Sequence, residues 1–237
     1  MKSSMRWVGD VSFVVSILMV ADLLHAWGAK EVREDTGDVV FLTFAAAIWL
    51  FLARRLLFPC LGLGFCDDAV ERRNRASLAA SCGAIMALAI IYAGGSIGEG
   101  PSYWENVFSV ALGTAGWLVL WILIEIGAKI SMPIAEERDL ASGVRLSGFL
   151  VATGLILGRA VAGDWHSEAA TIHDFFRDGW AAPILCATAL LVEKFAQPSR
   201  RRPFPPWTSH GLIPALVYIA FGIAWLWRLG PWEGMPK

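Results

Sequence analysis

The chain has 237 residues, of which 56% are hydrophobic, and its twelve tryptophans are far more than a soluble protein of this size carries. A formal net charge of −1 gives no field that would attract nucleic acid. The four cysteines show no CxxC motif and no zinc-ligand spacing, so the sequence predicts free thiols and excludes a disulfide framework.

Seven apolar stretches follow one another along the chain. Each is close to the ~20 residues that a helix needs to cross a ~30 Å hydrocarbon layer. We therefore predict an all-α membrane protein, with one transmembrane domain over residues 1–237 and about seven transmembrane helices. The predicted spans are residues 7–27, 39–57, 76–97, 106–128, 144–163, 175–192 and 212–229.

The first span has the basic start and apolar run of a signal peptide. Its run is long, however, contains Asp22 and lacks a good small-residue cleavage pattern. We expect a retained helix.

Basic residues are distributed unevenly between the two sets of loops. The N-terminal segment, the loops after spans 2, 4 and 6 and the first turn of span 5 hold fourteen of the twenty lysines and arginines, and the opposite loops hold six. The poorer set is also the acidic one. Because an excess of lysine and arginine marks cytoplasmic loops, we predict a cytoplasmic N-terminus and a C-terminus outside.

The sequence also repeats itself with a period near 65 residues. The segment 71–77 (ERRNRAS) matches 136–142 (EERDLAS), and Gly83 then aligns with Gly148. We predict parallel two-helix repeats over about 38–98, 105–163 and 171–229, preceded by one extra helix.

Each repeated motif ends in a residue that suits a helix start. Asn74 and Asp139 stand just before spans 3 and 5, where their side-chain oxygens are expected to cap free backbone N–H groups. Small residues then recur at every fourth position in both spans. Such rows let helix backbones approach closely in lipid, so we predict that spans 3 and 5 are the inner helices.

The segment Glu137–Gly143, its relative at 73–77 and the glycine-spaced helices resemble a bacterial inner-membrane family described only as a domain of unknown function, number three hundred and fifty. In that family the unit is a two-helix repeat with an asparagine–alanine motif opening its second helix. The resemblance covers roughly residues 38–195, with Asp139 where asparagine is usual. It implies a location in the bacterial inner membrane and no established reaction.

Ionisable residues within the spans are functional candidates because each is costly at mid-membrane. We predict a charged layer on the cytoplasmic side, formed by Arg73, Glu125, Arg138 and Glu193, in which carboxylates and arginines pair; Glu125 has a further helical partner in Lys129. Near the outer interface, Asp22 and His25 are expected to form a hydrogen-bonded pair.

The loop between spans 5 and 6 contains metal-ligand residue types, but their spacing matches no known site. The residues are Asp164, His166, Glu168, His173 and Asp174. We expect a solvated polar loop there, and we predict no cofactor, metal site or catalytic residue.

Two functions remain open. The first is a non-enzymatic membrane module, either a helix-packing scaffold or a subunit of a larger complex or pore, with lipids, copies of itself or other membrane subunits as partners. The second is a transporter or conduit for small solutes or ions, with a path lined by the charged layer. A redox subunit holding haem or quinone is a more distant alternative.

Overall fold

The computed structural model describes residues 2–199 and 205–231, with side chains from Ser4 onward, and all elements in this part of the chain are helical. Three segments are π-helical: Ala53–Leu57, Phe65–Glu71 and Thr208–Leu212. The α-helices in chain order are α1 (Lys2–Trp27), α2 (Lys30–Glu34), α3 (Thr36–Leu52), α4 (Phe58–Cys60), α5 (Arg75–Gly95), α6 (Tyr103–Ala128), α7 (Ser131–Ala135), α8 (Leu140–Ala160), α9 (Glu168–Gly179), α10 (Ala181–Ala196) and α11 (Ile213–Leu229).

Six helical segments within the described residues are long and apolar enough to cross a membrane. A seventh span exists if α9 and α10, which meet at an angle of 42°, are counted as one. The prediction of a helical membrane protein with about seven spans therefore agrees with the architecture, except that residues 175–192 do not form one straight span.

Proline explains this bend. Pro183 has no N–H, so the carbonyl of Gly179 lacks its helical donor, and the ring crowds that carbonyl. Pro214 has the same relation to His210, which lies in the π-helical segment Thr208–Leu212. Both helices thus depart from regular geometry four residues before a proline.

The two inner helices are α5 and α8, as predicted. In each, 72% of the most apolar window is buried, against 22% in α1. The reason is their small side chains, because an added Cβ at Gly83 would lie 2.6 Å from the Cα of Ser147. Helix α8 packs in the same way against α11, where a Cβ at Gly148 would lie 2.5 Å from the Cα of Ala215.

The segments that lead into α5 and α8 have matching backbones. Arg73 and Arg138, each just before a helix cap, adopt left-handed conformations with φ of 54° and 57°. The N–H of the following residue reaches back six residues in both cases, from Asn74 to the carbonyl of Asp68 and from Asp139 to that of Pro133. These turns position the cap side chains at the N-termini of α5 and α8.

Candidate functional site

The two predicted caps are in place at the N-termini of the inner helices. The side chain of Asn74 accepts hydrogen bonds from the N–H groups of Ala76 and Ser77 at the start of α5. Asp139 accepts from Ala141 and Ser142 at the start of α8. The amide of Asn74 also donates to the carbonyl of Ile134 at 2.6 Å, a bond that the carboxylate of Asp139 could not form.

Beside these caps lies a buried ion pair between α8 and α10. Arg145 is fully buried and Glu193 is 3% exposed. The guanidinium Nε lies 2.5 Å from Oε1 of Glu193 and Nη2 lies 2.6 Å from Oε2, a bidentate arrangement. The pair ties the end of α10 to the second turn of α8.

Arg145 also forms hydrogen bonds at the start of α11, close to Pro214. Its Nη1 donates to the carbonyl of His210, which cannot accept a hydrogen bond from Pro214 four residues on. Its Nη2 donates to the hydroxyl oxygen of Ser142, 3.1 Å away. One side chain thus joins α8, α10 and the π-helical start of α11, and satisfies a buried charge at the same time.

The pairing predicted within the charged layer is wrong. Arg73 and Arg138 are exposed, and neither makes an ion pair within the described residues. Both lie in left-handed turns just before the helix caps, with their side chains exposed. Glu193 instead pairs with Arg145 of α8.

Glu125 likewise has no basic partner among the described residues, and its expected pairing with Lys129 does not occur. Its carboxylate accepts hydrogen bonds from the N–H and hydroxyl of Ser131, at 3.0 and 2.7 Å. Lys129 ends α6 in a left-handed conformation with φ of 49°, which turns the chain and takes its side chain off the helical i,i+4 position. Glu125 therefore fixes the turn after α6.

The expected pair of Asp22 and His25 is also absent. Both side chains are exposed, and neither forms a hydrogen bond or ion pair with another described residue. They stand three positions apart on α1, a helix whose apolar window is mostly outside the packed core.

Arg145 could have been found from the sequence. It stands six residues after the cap Asp139, inside a helix of small and apolar residues, where a charge requires a partner. The partner itself is 48 residues away and could not be chosen among the glutamates by spacing alone.

A cavity of roughly 820 Å³ occupies the opposite end of the bundle, between the segments that follow α5 and α8. The two segments are joined by backbone hydrogen bonds from Gly163 to Ile97 and from Trp165 to Glu99. The N–H of Glu99 also donates to Asp164 at 2.9 Å. These bonds hold the cavity rim together.

The charged side chains of this cavity largely satisfy one another. Arg177 donates to both carboxylate oxygens of Asp178, at 2.8 and 3.2 Å, and lies 2.9 Å from Asp174. Glu105 is held in a capping box with Ser102. The cavity is therefore a polar pocket in which Arg177, Asp174, Asp178 and Glu105 are already engaged.

The polar loop at this end brings no metal centre together. Within the described residues, no three His, Cys, Asp or Glu side chains are close enough to hold a metal ion. The residues with metal-ligand types that the sequence places here instead serve in turns and in pairs such as His173 with Asp174, 3.5 Å apart.

No family model, curated protein or solved structure matches this chain.

Proposed function

We propose that this chain is a non-enzymatic, multi-pass membrane module whose role is to pack helices, either as a scaffold or as a subunit of a larger membrane complex. The observation that carries this proposal is that its interior is closed by backbone-to-backbone contact while its buried charges are satisfied within the chain. Glu193 binds Arg145 and Glu125 binds Ser131. Because each carboxylate already has a partner within the chain, neither is free to bind a substrate.

The module is built, in this proposal, from parallel two-helix repeats over about 38–98, 105–163 and 171–229. Matched contacts support it. The close approach of Gly83 to Ser147 has its counterpart in that of Gly148 to Ala215, one repeat further along. The paired left-handed arginines before α5 and α8 support the first two repeats, as does the resemblance to the family of unknown function.

We place the module in the bacterial inner membrane with its N-terminus in the cytoplasm and its C-terminus outside. The distribution of lysine and arginine supports this orientation, because fourteen of the twenty fall on the side of the N-terminus. Lipids surround the exposed apolar faces of α1, α3 and α11, and the remaining partners are copies of the chain or other membrane subunits.

A conduit is the second candidate, and the polar cavity of roughly 820 Å³ is the observation that favours it. A conduit also needs a continuation through the membrane. Beside the cavity, a Cβ added at Gly94 would collide with the carbonyl of Gly158, so α5 and α8 leave no gap there. This contact favours the packing role.

Mass measurement after mild extraction from membranes tests the proposal. We expect an assembly larger than one 25.8 kDa chain, either of several copies or with a second protein. A lone chain that retains its lipids would contradict the subunit role. A chain that carries solute across vesicle membranes, with loss of flux on filling the cavity by Ser109→Trp, would establish the conduit instead.

A further inference from the structure

Two neighbouring arginines at the end of α3 have very different surroundings. Arg54 lies 3.2 Å from Asp10 of α1, and its guanidinium stacks over the ring of Phe65 at 3.4 Å from the ring centre. Arg55 is exposed and donates from Nη1 to the Sγ of Cys66, at 3.2 Å. The π-helical segment Ala53–Leu57 places both at the basic end of the bundle.

Arg55 has N–H donors besides the one that bonds to Cys66. A guanidinium carries five N–H groups, and a thiol is a weak acceptor. Among the described residues no carboxylate pairs with Arg55: Asp10 is engaged by Arg54 and by Arg6 at 3.8 Å, and Asp67 forms no ion pair with Arg55. An anion from outside the chain would complete its hydrogen bonding.

A cavity of roughly 510 Å³ stands where that anion would bind. Arg6, Arg54 and Arg55 line it together with only two carboxylates, those of Asp10 and Asp67. The lining thus carries one excess positive charge, which matches a singly charged phosphodiester.

An apolar stripe leads from this cavity along α3. Phe44, Ile48 and Phe51 are 66%, 46% and 55% exposed, and their spacing of four and three residues puts them on one helix face. Arg55 follows four residues after Phe51, so a guanidinium ends the stripe. An apolar surface followed by a cation is complementary to a phospholipid, in which an apolar acyl chain is followed by an anionic phosphate.

We propose that this cavity binds the headgroup of an anionic phospholipid, with Arg55 as the main donor to the phosphate and the acyl chains along the stripe of Phe44, Ile48 and Phe51. A planar guanidinium binds two phosphate oxygens at once. A zwitterionic headgroup would bring a second cation to a site that already has an excess of positive charge. The inference rests on the membrane location proposed above but not on the scaffold role.

Native mass spectrometry of the purified full chain tests it by titration with phosphatidylglycerol and, separately, with phosphatidylcholine. We expect tighter binding of phosphatidylglycerol, and an about five-fold weaker affinity for it in Arg55→Gln, since each interfacial arginine contributes an attraction of that size. Arg55→Lys keeps the positive charge but loses the planar guanidinium that binds two oxygens, so its affinity for phosphatidylglycerol should fall between those of the parent and Arg55→Gln.

Arg75→Gln is the matched control, because Arg75 is exposed at the same end of the bundle and does not line the cavity. It should leave binding of phosphatidylglycerol unchanged. Equal weakening in Arg55→Gln and Arg75→Gln would overturn the site in favour of general charge attraction. Displacement of the lipid by an equal concentration of inorganic phosphate would overturn the lipid as its occupant.

Folding and location are checked separately. Arg55→Gln and Arg75→Gln should melt like the parent in phosphatidylcholine, because both residues are exposed and neither pairs with a carboxylate in the part of the chain that the structure describes. Absence of the parent chain from the membrane fraction would refute the proposed location, whereas loss of lipid selectivity in a membrane-embedded chain would refute only the site.

Discussion

Among the contacts between single residues, the buried ion pair of Arg145 and Glu193 is the one whose loss should affect stability most. Removing two charges from water is costly, and only their bidentate contact and the extra bonds of Arg145 offset that cost. Arg145→Met alone should therefore destabilise the fold by about 3–5 kcal/mol, because it leaves Glu193 uncompensated. The double variant Arg145→Met with Glu193→Leu should be more stable than this single one.

Reversible unfolding in mixed micelles measures the difference, with Lys30 and Glu34 as the control pair. Their side chains are 68% and 69% exposed, so Lys30→Met should cost less than about 1 kcal/mol. If the double variant were as unstable as Arg145→Met, the ion pair would not be the source of the loss.

The two caps should respond differently to exchange of their side chains. Asp139→Asn keeps an acceptor oxygen for α8 and should change the free energy of unfolding by less than about 0.5 kcal/mol. Asn74→Asp also keeps the cap but loses the donor to the carbonyl of Ile134, and should cost about 1–3 kcal/mol. Unfolding of both variants in the same micelles measures this, and equal effects would contradict a role for the Asn74 amide beyond capping.

At the scale of elements, contacts between small residues decide how closely the inner helices pack. A Cβ at Gly148 would lie 2.5 Å from the Cα of Ala215, a backbone atom that cannot rotate away. Gly148→Ala should therefore separate α8 from α11 and cost about 1–3 kcal/mol through overpacking.

Gly179→Ala is the control for this effect. Its Cβ would meet only side-chain atoms of Ala160 and Leu157 at 3.4 Å, an ordinary contact distance. Its melting temperature should stay near that of the parent. Equal melting of Gly148→Ala and the parent would show that α8 and α11 do not touch through Gly148.

At the scale of the whole molecule, the distribution of basic residues predicts how the protein lies in the membrane. With a cytoplasmic N-terminus and seven spans, a reporter fused to the C-terminus should be active only if it works outside the cytoplasm. A second reporter, inserted after Gly98, should behave in the same way. Cytoplasmic activity of the C-terminal reporter would rule out seven spans in this orientation, including the bent pair α9–α10 as one span.

Features that depend on local pattern can be predicted from the amino-acid sequence. Length and hydropathy specify helices that can span a membrane, rows of small residues specify which helices lie inside, and Asn74 and Asp139 cap helices through bonds two and three residues away. Each of these follows from spacing along one helix, and none requires knowledge of a neighbour.

Which charges meet, in contrast, depends on how separate helices pack against one another. Glu193 could pair with any nearby arginine as far as sequence spacing tells, but α8 and α10 bring it to Arg145, while left-handed turns carry Arg73 and Arg138 to the surface. The donor that Arg145 gives to the carbonyl of His210 likewise depends on how α8 packs against the start of α11. Long-range pairing is set by the packed positions of separate helices, which no local pattern encodes.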